Sequence, residues 1–166
     1  MKRLLLIAGA LALLPGCGLR PLYAGGGAGP VAQALRSVQV APIGGKSGWL
    51  MRTALEDRFG TTAGGTPVYR LEVELDDRIE GFGIRSDNAV TRERRTLRAR
   101  YRLIQAADGA VVLDATAGSD AGIDVVSSEY ATVAAEETAL ERLSKEVADQ
   151  IVARVALFAA RSRLAR

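Results

Sequence analysis

Apolar and polar residues alternate along this chain with one of two periods, and each change of period marks an element. Val38 and Val40 flank Gln39, which predicts a short strand ending by Pro42. Residues 46–59 step by three and four, so Leu50, Met51, Ala54, Leu55 and Phe59 share one face of a helix. Ser47 is its predicted N-cap and Gly60 stands where such helices end. Residues 61–66 read as loop. From 67 to 79 the period is two: Tyr69, Leu71, Val73 and Leu75 point one way, Arg70, Glu72, Glu74 and Asp76 the other. A turn over 80–88 leads to a second long strand, 91–105. Its apolar side is Leu97, Ala99, Tyr101 and Leu103; its other side is Arg92, Arg94, Thr96, Arg98, Arg100 and Arg102. Val111, Leu113, Ala115 and Ala117 begin a third strand. The stretch 118–122 weakens it, and Ile123 and Val125 stand in phase to continue it. Ser128 caps a last helix, 129–161, whose stripe is Leu140, Leu143, Val147, Ile151, Val155 and Phe158.

The faces decide the turn between the last two strands. A two-residue loop at Asp108-Gly109 would set Leu103 opposite Asp114 and oppose an apolar face to a charged one. A three-residue loop, 107–109, with Gly109 left-handed, sets Leu103 opposite Leu113 and Arg102 opposite Asp114. The order is strand, helix, three strands, helix. It predicts an α+β fold: a two-layer sandwich, with two helices packed on the apolar face of a mostly antiparallel four-stranded sheet.

The first residues follow a different pattern. Lys2 and Arg3 precede an apolar run, 4–14, too short to span a bilayer as a helix. Pro15 and Gly16 then lead to Cys17, the only cysteine. This is the layout of a bacterial lipoprotein signal, with cleavage before Cys17, diacylglycerol on its thiol and an acyl chain on the new amine. Several acyl chains anchor firmly, at about 0.8 kcal/mol per buried CH₂. Gly18, in place of an aspartate, points to the outer membrane, on its periplasmic face. An alkylated thiol forms neither disulfide nor metal site. The expected organisation is a signal over 1–16, a lipidated Cys17 and glycine-rich tether over 17–35, and a single α+β domain over 36–166. Within the tether, Pro21-Leu22-Tyr23 is more apolar than free chain requires.

Composition narrows the chemistry. The formal charge of +3 includes Lys2 and Arg3, so without the signal the balance is near +1 and makes no case for nucleic acid. There is no histidine, which excludes histidine-based triads, histidine metal ligands and the usual general base. Aromatic residues are 5% of the chain, too few for base-stacking platforms. The pair Gly81 and Gly83 lacks the lysine and following helix of a phosphate loop. No catalytic constellation, metal site or cofactor is expected beyond the lipid on Cys17.

The arginine row is the informative feature. Arginine forks match phosphate and carboxylate oxygens, and the phosphate-rich ligand of a membrane-bound periplasmic protein is lipopolysaccharide. Against this, Glu72, Glu74, Asp76 and Asp114 lie across from the row, so paired charges on a solvated face account for most of it. The far end of the hairpin differs. Glu93 and Arg95 have the parity of the apolar face, so the helices are expected to stop short of them. Arg78, Arg85, Arg92, Arg94 and Arg95 would then gather around Phe82 and Ile84, and Arg85, Arg92, Arg94 and Arg95 are the candidate lipopolysaccharide-binding residues.

Three stretches together resemble the lipopolysaccharide-assembly lipoprotein family LptE, in its divergent alphaproteobacterial branch. They are Cys17-Gly18-Leu19-Arg20-Pro21-Leu22-Tyr23, the hairpin with its arginine-rich second strand, and Ser127-Ser128-Glu129-Tyr130-Ala131 entering an Ala/Glu/Arg-rich helix. The resemblance implies a plug inside the outer-membrane β-barrel LptD, assistance in barrel assembly, and binding of lipopolysaccharide for delivery to the outer leaflet. A second reading is the auxiliary lipoprotein of a phospholipid-transport ABC system. A third, a periplasmic enzyme, lacks any acid–base cluster.

Overall fold

A computed structural model describes residues 26–60, 66–84 and 90–164. The expected lipoprotein signal, Cys17 and Pro21-Leu22-Tyr23 lie outside these residues, as does Arg85. A one-turn 3₁₀ segment, Gly26–Ala28, precedes helix α1, Pro30–Arg36. Strand β1, Val38–Val40, leads to helix α2, Gly45–Phe59. Then come the long strands β2, Tyr69–Ile84, β3, Val90–Gln105, and β4, Val111–Asp124, and helix α3, Glu129–Leu164. The strands lie in the order β1-β2-β3-β4. β1 runs parallel to β2 and the other neighbours are antiparallel, so the sheet is mixed.

The α+β sandwich is the one the two periods predict. Leu71 and Val73 of β2, Leu97, Ala99, Tyr101 and Leu103 of β3, and Ala121 and Ile123 of β4 are buried on one face. Met51, Leu55 and Phe59 of α2 and Leu140, Leu143, Val147, Ile151 and Val155 of α3 cover them. Removing this apolar surface from water is the main stabilising term, at about 25 cal/mol per Å². Tyr69 and Phe158 close the proximal end edge to face, with ring centroids 6.2 Å apart.

Four local expectations change. Residues 30–35, read as tether, belong to α1: Pro30 opens it at a position that tolerates proline, and Val31 and Leu35 are buried in the core. Helix α2 begins at Gly45 rather than after a Ser47 cap; extended Gly44 precedes it with no side-chain cap bond. The β2–β3 hairpin is longer than predicted, because Gly81 and Gly83 are held in the ladder by Glu93 across the strands and by Thr91 Oγ1, which donates to Gly83 O at 2.7 Å. The β3–β4 register is the one the faces demand, Leu103 opposite Leu113 and Arg102 opposite Asp114. The loop that achieves it differs. Gly109 N–H donates to Gln105 O and Gln105 N–H to Ala110 O, each at 2.9 Å, and the register steps once between Leu103 and Ile104. Gly109 takes φ 73°, a conformation that costs other residues about 1–2 kcal/mol.

The start of α3 is fastened to the sheet by polar groups as well as by its stripe. Ser128 Oγ accepts from Ala131 N–H at 3.4 Å, the predicted cap. Arg95, on the apolar face of β3, forks onto Asp77 of β2, with Nε at 2.9 Å and Nη2 at 2.7 Å. Its Nη1 donates to the main-chain oxygen of Glu136 at 2.9 Å. The side chains of Arg95 and Asp77 are only 12% and 19% exposed. Lys46 of α2 pairs with Glu137 beside them, and Arg58 with Asp149 further along. Glu93 completes the junction. Its Oε2 is buried without a hydrogen-bond partner among the described residues. Burial pushes its carboxyl above the usual range, and the neighbouring charge of Glu136 pushes the same way.

Two outcomes follow for unfolding in urea. Arg95→Ala strips a buried carboxylate of its partner and is expected to cost more than about 2 kcal/mol. Arg94→Ala, one residue away on the solvent side, costs under about 1 kcal/mol. The double variant Arg95→Met/Asp77→Leu regains most of the loss; equal losses in Arg95→Ala and Arg94→Ala would rule the clamp out. Glu93 gives a pH dependence. Its folded-state pKa is raised, so its contribution to stability is present at low pH and lost as pH rises through that pKa. Glu93→Gln is therefore more stable than the parent at neutral pH, and the difference closes as the pH falls to the ordinary glutamate range. A Glu93→Gln protein less stable at pH 7 contradicts this.

Candidate functional site

The face of the sheet away from the helices carries the charges. Every second residue of β2, β3 and β4 stands on it, and the register sets acids of β2 and β4 on both sides of the arginines of β3. Glu72 lies opposite Arg102, Glu74 opposite Arg100, Asp76 opposite Arg98 and Glu80 opposite Arg94. On the other side Asp114 lies opposite Arg102, and Asp124 opposite Arg92.

Most of these groups are paired. Arg102 reaches Glu72 at 3.1 Å, and Arg100 holds Asp114 through Nη2 at 3.0 Å. The Arg100 guanidinium keeps the Asp114 carboxyl below its usual range. On β2 itself Arg70 meets Glu72, and Arg78 meets Asp76, each at 2.8 Å. Exposed pairs of this kind contribute about 0–1 kcal/mol each, so the face is solvated and mutually neutralised. Arg98 is the exception within the row: no carboxylate ion-pairs with it among the described residues. It lines an open groove of about 590 Å³ with Asp76, Thr96, Thr116 and Asp120.

At the far end Arg92 approaches Asp124 at 3.2 Å and Arg94 approaches Asp120 at 3.8 Å. The Arg94 guanidinium also sits over the ring of Phe82, 5.4 Å from its centroid, and Phe82 is 40% exposed. Two of the four sequence-predicted ligand residues, Arg92 and Arg94, thus stand together at this end beside an exposed aromatic ring. Arg85 lies outside the described residues. Arg95 does not join them. The helix layer reaches further than the sequence pattern suggested, and Arg95 is spent beneath α3 on Asp77 and Glu136. Apolar-face parity was the signal for that location, and the aspartate of the same parity on the paired strand was the signal for its partner.

Sequence reasoning also missed the acids facing the far arginines. Asp120 and Asp124 belong to a strand that the 118–122 stretch was expected to weaken. Side chains of α3 hold that stretch in place: Gln150 bonds the main chain of Gly118, and Ser119 Oγ donates to Glu146 at 2.7 Å. Among the described residues no group of three or more histidine, cysteine or acidic side chains is arranged to hold a metal ion. No described helix is long and apolar enough to cross a membrane.

Comparison with known proteins places this architecture. No curated protein sequence matches the chain. A solved structure from Caulobacter crescentus, described as a lipoprotein, is 26% identical over 81% of this chain and 98% of its own, with a TM-score of 0.68. The rare lipoprotein B of Shewanella oneidensis shares the fold, at 10% identity over 78% of this chain and 97% of its own, with a TM-score of 0.58. Lipoprotein B of Nitrosomonas europaea does so at 15% identity over 74% of this chain and 82% of its own, with a TM-score of 0.57. The family model for lipopolysaccharide assembly, LptE, matches residues 35–155, from the end of α1 through most of α3. With the whole sheet, α2 and most of α3 inside that match, the chain belongs to the LptE lipopolysaccharide-assembly family.

Proposed function

We propose that this chain is the lipid-anchored, non-enzymatic subunit of a lipopolysaccharide translocon at the periplasmic face of the outer membrane. In this reading Cys17 carries the lipid. The domain plugs an LptD-like β-barrel, assists its assembly and binds lipopolysaccharide for delivery to the outer leaflet. The family match over residues 35–155 carries the reading. The charged face supports it physically. A polar barrel lumen accepts such a sheet face, because polar wall groups and water can keep its exposed, paired charges solvated.

Lipopolysaccharide presents phosphates beside acyl chains. Arg92 and Arg94 offer cations beside the exposed Phe82 ring, and Arg85 adjoins the same end of the hairpin in sequence. Their acidic neighbours are held loosely: Asp120 stands 3.8 Å from Arg94, with both side chains more than half exposed. A phosphate can therefore displace Asp120 at small cost. Arg95 has no such freedom.

The first test is a detergent pull-down of the tagged chain from its own outer membranes. One large β-barrel should co-purify near one to one. Recovery of an ABC transporter instead would favour the phospholipid-transport reading and sink this one. Lipopolysaccharide binding by the purified chain separates the arginines. Arg94→Glu is expected to weaken it by about tenfold with the urea midpoint little changed, at about 1.4 kcal/mol per decade of affinity. Unchanged affinity in Arg94→Glu and Arg92→Glu alike would remove the far end of the hairpin from the binding site.

A further inference from the structure

The sheet has two edges, and they are guarded differently. On β4 the carboxamide of Gln150 takes the outward main-chain groups of Gly118: Nε2 donates to Gly118 O at 3.1 Å and Oε1 accepts from Gly118 N–H at 3.3 Å. Those are the bonds another strand would need, so the middle of that edge is closed. On the opposite side β1 pairs with β2 only over Tyr69–Leu71, and Ala41 N–H gives Leu71 O the last bond at 2.9 Å. Tyr69 N–H and Leu71 C=O both face β1. By the two-residue alternation of a strand, the main-chain groups of Val73, Leu75, Asp77 and Ile79 face the same way, beyond the end of β1. Those of Glu74, Asp76 and Arg78 face β3. Among the described residues nothing hydrogen-bonds the outward four. An open edge of this length is a ready template for pairing.

The side chains along this edge specify what fits. On the helix side stand Val73, Leu75, Asp77 and Ile79; Asp77 is held by Arg95, and Ile79 is 41% exposed. On the other side stand Glu72, Glu74, Asp76, Arg78 and Glu80; Arg78 is paired with Asp76 at 2.8 Å, and the side keeps an acidic excess in Glu72, Glu74 and Glu80. The Glu74 side chain is 74% exposed and meets Arg102 only at 3.9 Å. A complementary strand therefore alternates apolar and basic residues. The chain itself provides the template on the inner side of β2, where Leu97, Ala99, Tyr101 and Leu103 alternate with Arg98, Arg100 and Arg102. A second copy entering through its own β2 would oppose acids to acids, which is unfavourable across strands.

We propose that the outer edge of β2, from Val73 to Ile79, docks an extended segment of a partner protein, with alternating apolar and basic residues, as an added strand. The probe is a synthetic peptide with the sequence of residues 96–105, and the control replaces its three arginines with glutamate. The readout is amide hydrogen exchange in the full chain in detergent. In the free chain the amides of Val73, Leu75, Asp77 and Ile79 exchange fast, and those of Glu74, Asp76 and Arg78 slowly. The basic peptide slows the first four by about tenfold or more and leaves the others unchanged, whereas the acidic control slows none. Ile79→Pro removes an N–H the fold does not use, which an edge tolerates. It keeps the circular dichroism of the parent and weakens peptide binding, and Glu74→Lys weakens it as well. Three results would each overturn the proposal. One is protection of the four amides in the free chain, which would mean that the edge is covered by residues 17–25 or by a second copy. The others are peptide binding without their slowing, and exposure of the Glu74, Asp76 and Arg78 amides, which would mean that the peptide displaces β3.

Discussion

The register of β3 between its two neighbours is the constraint on which everything else rests. Each step along that strand puts a residue either under α3 or on the charged face. Leu97 and Leu103 are fully buried, and Arg98, Arg100 and Arg102 stand on the opposite side. A slip of one residue would drive Arg98, Arg100 and Arg102 beneath the helices and Leu97, Ala99, Tyr101 and Leu103 into water. Burying even one unpaired charge costs several kcal/mol, comparable with the whole stability of a small domain. One arrangement is therefore strongly specified, and the hairpins, the helix stripe and the rows of opposite charge all take their places from it.

Arg95 shows how the same constraint handles an exception. It has the parity of the buried face and cannot reach water freely. Its charge is satisfied by a bidentate carboxylate and by a main-chain oxygen of α3. The helix start is thereby tied to the sheet at one place, where Asp77, Glu93, Glu136 and Glu137 converge. The arginines on the other face obey different energetics. Exposed, salt-screened and loosely paired, they add little to stability and keep their capacity to meet an anion. Neighbours in sequence, Arg94 and Arg95, thus differ completely in what the protein can use them for.

The two sheet edges extend the asymmetry. α3 crosses β4 closely enough for Gln150 to stand in for a neighbouring peptide at Gly118. β1 is too short to do the same for β2, because Pro42 and the turn into α2 take the chain away after Ala41.

Elements whose evidence is local are legible in the residue pattern alone. Period-two alternation marked β2 and β3, and the three-and-four stripe marked α3. Ser128 marked the cap, and the opposition of Leu103 to Leu113 followed from the faces alone. The family resemblance was also legible, because it rests on motifs in fixed order. The rest depends on packing, and in each case the deciding partner is remote in the chain. Residues 30–35 are helical because Val31 and Leu35 find a core to enter. β4 runs unbroken to Asp124 because Gln150, 32 residues from Gly118, holds it there. Arg95 belongs to the fold rather than to the exposed end because the helix layer extends over it. A charged residue of apolar parity reads alike whether it is buried with a partner or exposed beyond the core, and only the reach of the covering helix separates the two.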